Sequence, residues 1–484
     1  MNKRVFDIFA EICKVPRPSK HEEKISQWLQ SFAAARGIEC VADEAMNVIM
    51  RVPATPGYED REGVILQAHM DMVCEKNGDV QHDFNTDPIE TYLDGEWLKA
   101  KGTTLGADNG IGIAMALAAI TDENLEHPAI ECLFTVDEET GLTGAEKLQD
   151  GMLKGKRLIN LDSEDDGQIF IGCAGGIDTV AKMHYQPMPI AQLPENFHPF
   201  AVKISVSGLL GGHSGDDINK GRANANQVIV WFLNQLWKQM EVWLCAINGG
   251  NLRNAIAREA EAVICVDERN KENVRIAWNE YIAQMEAHLG DVEKDMRLDM
   301  ESCDLPETCM PFDNMYRLLI TLAECPHGVI NMSKEMPGLV ETSTNLASVK
   351  MKEDEKGDYI EITTSQRSSK ENGKHFIKHM VGRTLALACD EVKHGDGYPG
   401  WAPNPKSALL ETVRKAYTYL FQSEPEVRAI HAGLECGLFL EKYPYLDMVS
   451  IGPQMYGVHS PQERLSIPST DRCYQWLCQT LKTL

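Results

Sequence analysis

Apolar residues recur at helical spacing over residues 5–12 and 22–36, which predicts two amphipathic helices. Glu22, Glu23 and Lys24 open the second helix and Gly37 ends it. Unbroken apolar runs of strand length follow at 63–69 (GVILQAH), 129–136 (AIECLFTV), 157–161 (RLINL) and 447–452 (DMVSIG). Runs of this kind suit strands covered on both faces of a sheet. Between the first two lies GADNGIGIAMALAAI, a glycine-rich turn entering an alanine-rich helix. Strand, helix, strand in that order predicts an α/β layer with a mostly parallel sheet.

The pattern changes after Pro187. PMPIAQLPENFHPF carries four prolines and reads as a connector. AVKISVSG then alternates like a half-exposed strand, a helix is expected near 222–240, and further alternating strands follow at 258–266 and 359–364. This is the pattern of an α+β domain with one solvated sheet face. A second turn-rich connector, HGDGYPGWAPNP, precedes a helix near 406–421. The expected layout is an α/β domain over 1–186 and 398–484, split by an inserted α+β domain over 187–397. No low-complexity tract interrupts it.

Composition narrows the function. Lys and Arg total 47 against 72 Asp and Glu, a net charge of −25, so no nucleic-acid partner is expected, since phosphate binding needs a basic face. Asp7 and Glu11 break the apolar stretch that an export signal would need, and no window of about 18 uncharged apolar residues offers a membrane span. The 14 cysteines are scattered with no C-x-x-C pair, which suits free thiols in a reducing cytoplasm. Cys303 and Cys309 are spaced too widely for the usual zinc knuckle.

The candidate chemistry sits at strand ends. His69 and Asp71 are two apart, so on a strand they share a face, as a metal-binding imidazole and the carboxylate that fixes its tautomer do. A core histidine satisfied by an aspartate would look the same. Asp108 stands just before NGIGIAMALAAI, where an N-cap is the plain alternative. Glu138 and Glu139, in VDEETG, form either a solvated acidic turn or a pair in which one glutamate binds metal and the other takes a proton from water. Asp162 ends RLINL, and His459 follows DMVSIG in MYGVHSPQE. The joint placement carries the argument: His69, Glu139, Asp162 and His459 all fall at or just beyond the carboxyl ends of apolar strands, where open α/β sheets place their sites. Two histidines and several carboxylates without cysteine describe a hydrolytic zinc or manganese site.

QAHMDMV, LGADNGIG, DEETG, NLDSE and GVHSPQE, in this order, resemble the motifs of the co-catalytic di-zinc peptidases, a family that includes aminoacylase, carboxypeptidase G, desuccinylase and the carnosine-type dipeptidases. The steps from His69 to Asp108, Glu139 and Asp162 are 39, 31 and 23 positions. GGHSGDDINKGRANA resembles the lid-domain motif of that family, so the likeness covers nearly the whole chain, and HAGLECGLF draws it toward the dipeptidases. The resemblance implies a zinc-peptidase-like catalytic domain and a lid that also dimerises. It implies two divalent metal ions per chain, zinc first, with manganese or cobalt as alternatives.

Carried over by residue, the resemblance makes Asp108 the bridge between two metals, with His69 and Asp162 completing one site and Glu139 and His459 the other. Glu138 becomes the general base, and Asp71 orients His69. His213, in GGHSG, would stabilise the oxyanion from the partner subunit of a homodimer. Asn254 would lie beside the substrate, and Arg367 would hold its carboxylate. The lid departs from the family at Ala257, where many relatives have proline, and at SQRSS, an uncommon form of the arginine motif. The implied activity is hydrolysis of dipeptides, Xaa-His (carnosine-like) among them, in the cytoplasm. An N-acyl amino-acid deacylase on the same fold, or a peptide-binding protein that has lost catalysis, is the rival reading.

Overall fold

In the computed structural model, which describes residues 2–484, the four apolar runs lie side by side. Ile130–Thr135, Val64–His69, Arg157–Asn160 and Asp447–Ser450 are consecutive parallel neighbours at the centre of an eight-stranded sheet. Every residue of Val64–His69 and Ile130–Thr135 is buried, as unbroken apolar runs require. Antiparallel strands flank them: Glu39–Ala42 and Val48–Val52 on one side, Gln168–Cys173 and Glu426–Ile430 on the other. The helix Ala107–Ile120 packs against the Val64–His69 strand, and its alanines and glycines let the two backbones approach closely. The predicted N-terminal helices span Lys3–Ile12 and Glu23–Ala34, with Val5, Phe6, Phe9 and Ile12 forming the buried face of the first.

Two compact units result. The first comprises residues 1–173, 401–429 and 434–484, and contains the parallel sheet. The second comprises 174–400 and 430–433. It carries an antiparallel sheet ordered Arg297–Ser302, Pro199–Ser207, Ala260–Asp267, Val242–Gly249, Val340–Asp354, Gly357–Ser368, Gly175–His184, Glu391–His394, with Gly328–Met332 added beside Val340–Asp354. Pro199–Ser207 alternates in burial, as its sequence does, and the helix expected near 222–240 spans Ala225–Leu236.

The division falls between Cys173 and Ala174, not after residue 186, and the return falls at 400/401. The reason is backbone pairing. Gly175–His184 bonds to Gly357–Ser368 over ten residue pairs and so belongs to the second sheet. The proline-rich stretch after it is an excursion inside that unit, containing the short strand Met188–Pro189 and a 3₁₀ turn. Among the described residues no helix is long and apolar enough to cross a membrane.

The C-terminal helix Ile467–Thr483 anchors the first unit through Trp476, which is 1% exposed, donates from Nε1 to Val413 O at 2.8 Å and packs edge-on against Tyr417. Trp476→Ala should therefore cost about 3–5 kcal/mol of unfolding free energy in urea denaturation. A loss below about 1 kcal/mol would show that this contact does not hold the helix.

Candidate metal centre

Parallel strands direct their carboxyl ends to one edge, and the chemistry gathers there. His69 is the last residue of its strand. Its Nε2 lies 3.0 Å from Asp108 Oδ1 and 3.2 Å from Asp162 Oδ1, and its Nδ1 lies 3.3 Å from Asp71 Oδ1. His459 Nε2 lies 3.2 Å from Asp108 Oδ2 and 2.9 Å from Glu139 Oε2. Asp108 thus stands between two imidazoles with one oxygen toward each. Two donor groups result, His69/Asp108/Asp162 and Asp108/Glu139/His459, each with its ligand atoms within 4.8 Å of one another.

The N-cap alternative for Asp108 fails for a conformational reason. Gly106, at φ +68°, occupies the N-cap position and turns the chain, and Asp108 and Asn109, inside the helix, have non-helical dihedrals. The carboxylate is left free to face the histidines. Asp71 does more than face His69. It accepts from Glu138 N at 3.0 Å, Glu139 N at 3.2 Å and Ser19 Oγ at 2.8 Å, and so holds the acidic turn in place. That turn departs from Asp137, whose φ of +51° re-aims the chain and whose carboxylate is bound by the hydroxyls of Thr140 and Thr143. Glu138 groups with His69 and Glu139 but belongs to neither donor group around Asp108.

Charge tests whether these residues fit a metal. Five carboxylates, those of Asp71, Asp108, Glu138, Glu139 and Asp162, surround two imidazoles, and no lysine or arginine pairs with them among the described residues. Glu139 Oε1 is buried without a hydrogen bond. Burial pushes the Asp162 carboxyl up to about 6, and burial joined by neighbouring acids raises Glu138 well above the usual range. Hydrogen bonds to Asp108 and Glu139 lift His459 to about 11. Such a site gathers negative charge that divalent cations would relieve, and its N/O donor set suits hard or borderline divalent ions.

The other three expected residues lie in the second unit. His213 is half-buried, and its Nδ1 accepts from Gly215 N and Asp216 N at 3.3 and 3.2 Å. Arg367 and Asn254 line one cavity of about 340 Å³ together with Asp178, Arg253 and Tyr398, and Arg367 Nη1 donates to Tyr398 Oη at 3.1 Å. A larger cavity, about 620 Å³, opens where Val64 and Ile130 begin their strands. It lies at the opposite end of those strands from the donor groups and lacks their chemistry.

Residues 65–483 match the model of peptidase family M20/M25/M40. The chain belongs to this family. It is 41% identical, over 99% of its length and 97% of the relative, to the cytosol non-specific dipeptidase of Escherichia coli (strain K12). It is similar to the crystal structure of the aminoacylhistidine dipeptidase from Vibrio alginolyticus, with 38% identity, a TM-score of 0.93, and coverage of 100% of this chain and 97% of that one. A Bacillus cereus aminopeptidase, at 15% identity and a TM-score of 0.59 over 99% of this chain and 98% of that one, shares the fold.

This M20 chain also carries a polar layer beneath the donor groups that sequence reasoning missed. Glu435 is 1% exposed and accepts through Oε2 from Gln67 Nε2 at 2.7 Å and Thr135 Oγ1 at 2.8 Å. Asn160 Nδ2 donates to Gln67 Oε1, and Ser450 Oγ to Asn160 Oδ1, both at 2.5 Å. All four parallel strands are tied in this way. The only sequence signal was Glu435 itself, an acid inside the apolar run GLECGLF.

Burial raises the Glu435 carboxyl from 4.5 to about 8. Its proton is therefore bound more tightly in the folded than in the unfolded chain, so the stability that Glu435 contributes is full below about pH 4.5 and is lost as pH rises toward 8. Glu435→Gln should flatten the decline of urea stability between those pH values in the metal-free protein. An unchanged slope would show that Glu435 ionises freely.

Proposed function

We infer that this chain is a dinuclear metallo-dipeptidase of the cytoplasm that hydrolyses dipeptides, Xaa-His substrates among them. The observation that carries the reading is the pair of donor groups sharing Asp108 with Glu138 left over beside them. The identity to relatives named as dipeptidases, high over the whole chain, supports the substrate class. Asp108 would bridge two ions, His69 and Asp162 would complete one site, and Glu139 and His459 the other. When bound there, divalent cations, zinc by preference of the donor set with manganese or cobalt as alternatives, supply Lewis acidity toward water and the peptide carbonyl.

The remaining steps belong to the side chains. Glu138 takes the proton of the attacking water and returns it to the leaving amine. Its elevated affinity for a proton suits that exchange. Asp71 fixes the His69 ring and, through the backbone of Glu138 and Glu139, the position of the base. Arg367, with Asn254 in the same cavity, receives the free carboxylate of the substrate. His213 stabilises the oxyanion, contributed from the partner subunit of a homodimer, and the second unit serves as lid and dimerisation domain to the catalytic first.

Glu138→Ala should retain two metal ions per chain by elemental analysis and lose about 10²–10⁴-fold in turnover, the usual contribution of a general base. Loss of metal in that variant would make Glu138 a ligand instead.

Amidating the C-terminus of a good dipeptide should lower kcat/KM by at least about tenfold, as expected when a charge-assisted contact is removed. Arg367→Ala should abolish that discrimination. Equal turnover of free and amidated dipeptides by the unmodified enzyme would remove Arg367 from substrate binding, and cleavage of N-acyl amino acids in place of dipeptides would favour the deacylase.

A further inference from the structure

Four consecutive backbone N–H groups, Leu105 to Asp108, converge on one buried carboxylate. Glu463 Oε2 accepts from Leu105 N at 2.7 Å and Gly106 N at 3.0 Å, and Oε1 accepts from Ala107 N at 2.8 Å and Asp108 N at 3.4 Å. Glu463 is 2% exposed. Consecutive N–H groups curved by a left-handed residue form a concave anion site, and here Gly106 supplies the curvature. The protein fills this concavity with its own side chain. From the other side, the buried Arg17 donates to the carbonyls of Met70 at 3.0 Å and Asp71 at 2.9 Å, and to that of Gly106. The LGAD turn is held between an anion on its N–H side and a cation on its carbonyl side.

What this holds is specific. The turn leads directly into Asp108, and Glu463 stands four residues after His459 in the same loop. One end of the clamp carries the shared carboxylate and the other the imidazole that faces it at 3.2 Å. Besides the His459–Asp108 contact itself, Glu463 supplies the side-chain hydrogen bonds between the two segments among the described residues. We propose that Glu463 is a positioning residue that sets the Asp108–His459 spacing, and thereby the affinity of the Asp108/Glu139/His459 donor group for its metal, without itself touching metal or substrate. This rests on the reading of those residues as ligands. The His69/Asp108/Asp162 group depends less on Glu463, because His69 and Asp162 are carried by neighbouring paired strands.

Glu463→Gln tests it. A glutamine keeps the volume but offers one acceptor oxygen, and turns its own N–H donors toward two of the four backbone N–H groups. Stepwise zinc titration of the metal-free full-length chain, by chelator competition, reads two binding steps. One step should weaken by about 10–100-fold, the usual cost of losing a group that orients a ligand. The other should stay near its unmodified value, and activity should return when excess zinc fills the weakened site. Glu463→Asp, with the carboxylate on a shorter arm, should fall between, and it serves as the test if the glutamine variant does not fold. A support that is merely structural would lower the melting temperature and leave both zinc steps intact, or weaken them equally, and either result overturns the proposal. Failure of both variants to fold would also overturn it, by assigning Glu463 to the fold. An unmodified chain that binds fewer than two zinc ions would instead overturn the dinuclear reading on which the proposal stands.

Discussion

Carboxylates repel one another, and the first unit packs five of them around two imidazoles in surroundings where water cannot screen the charge. Glu138, Glu139 and Asp162, whose hold on a proton is raised by burial and by neighbouring acids, would lower their energy by moving apart. The fold prevents this by giving every one of them a backbone that cannot move far. His69 and Asp162 follow strands paired on both sides, Asp71 is bonded to the turn that carries the glutamates, and Asp108 emerges from a turn gripped by Glu463 and Arg17. Beneath them, Glu435, Gln67, Asn160 and Ser450 join the four central strands by side-chain bonds, one layer below the repulsion. The frame keeps the carboxylates together, where bound divalent cations would relieve the repulsion.

The second unit is built on a different sheet. Its strands are antiparallel and alternate in burial, with helices on one side. Arg367 and Asn254 come to one cavity from distant parts of its chain, because the strand Gly357–Ser368 and the loop after Val242–Gly249 meet there. The cavity of Arg367 and Asn254 and the donor groups around Asp108 thus belong to separate units, each with its own sheet.

Much of this was legible in the sequence, and what was not has a common cause. Buried parallel strands announce themselves as unbroken apolar runs, so the positions of His69, Glu139, Asp162 and His459 at strand ends could be read directly. Asp108 could not be separated from a helix cap, because the distinction depends on the dihedrals around Gly106. The unit boundary was misplaced because the connector after Pro187 looked like a linker, whereas the pairing partner of Gly175–His184 lies some 180 residues further on. Glu463, Glu435 and Arg17 were illegible for the same reason. The partners of Glu463 are 355 to 358 residues away and those of Glu435 are 300 and 368 away, and a lone acid or arginine carries no periodicity to reveal them.

The strand Asp447–Ser450 lies between Arg157–Asn160 and Gln168–Cys173, although both neighbours are made almost 300 residues earlier. During synthesis the growing chain therefore carries a central sheet with an open slot, flanked by unpaired strand edges of the kind that invite wrong pairing. The slot closes only when the final tenth of the chain emerges, and the same segment delivers His459 and Glu463. Assembly of the sheet and assembly of the donor groups are consequently one late event. A chain that stops short of this segment has an open sheet and lacks the imidazole that faces Asp108 and Glu139.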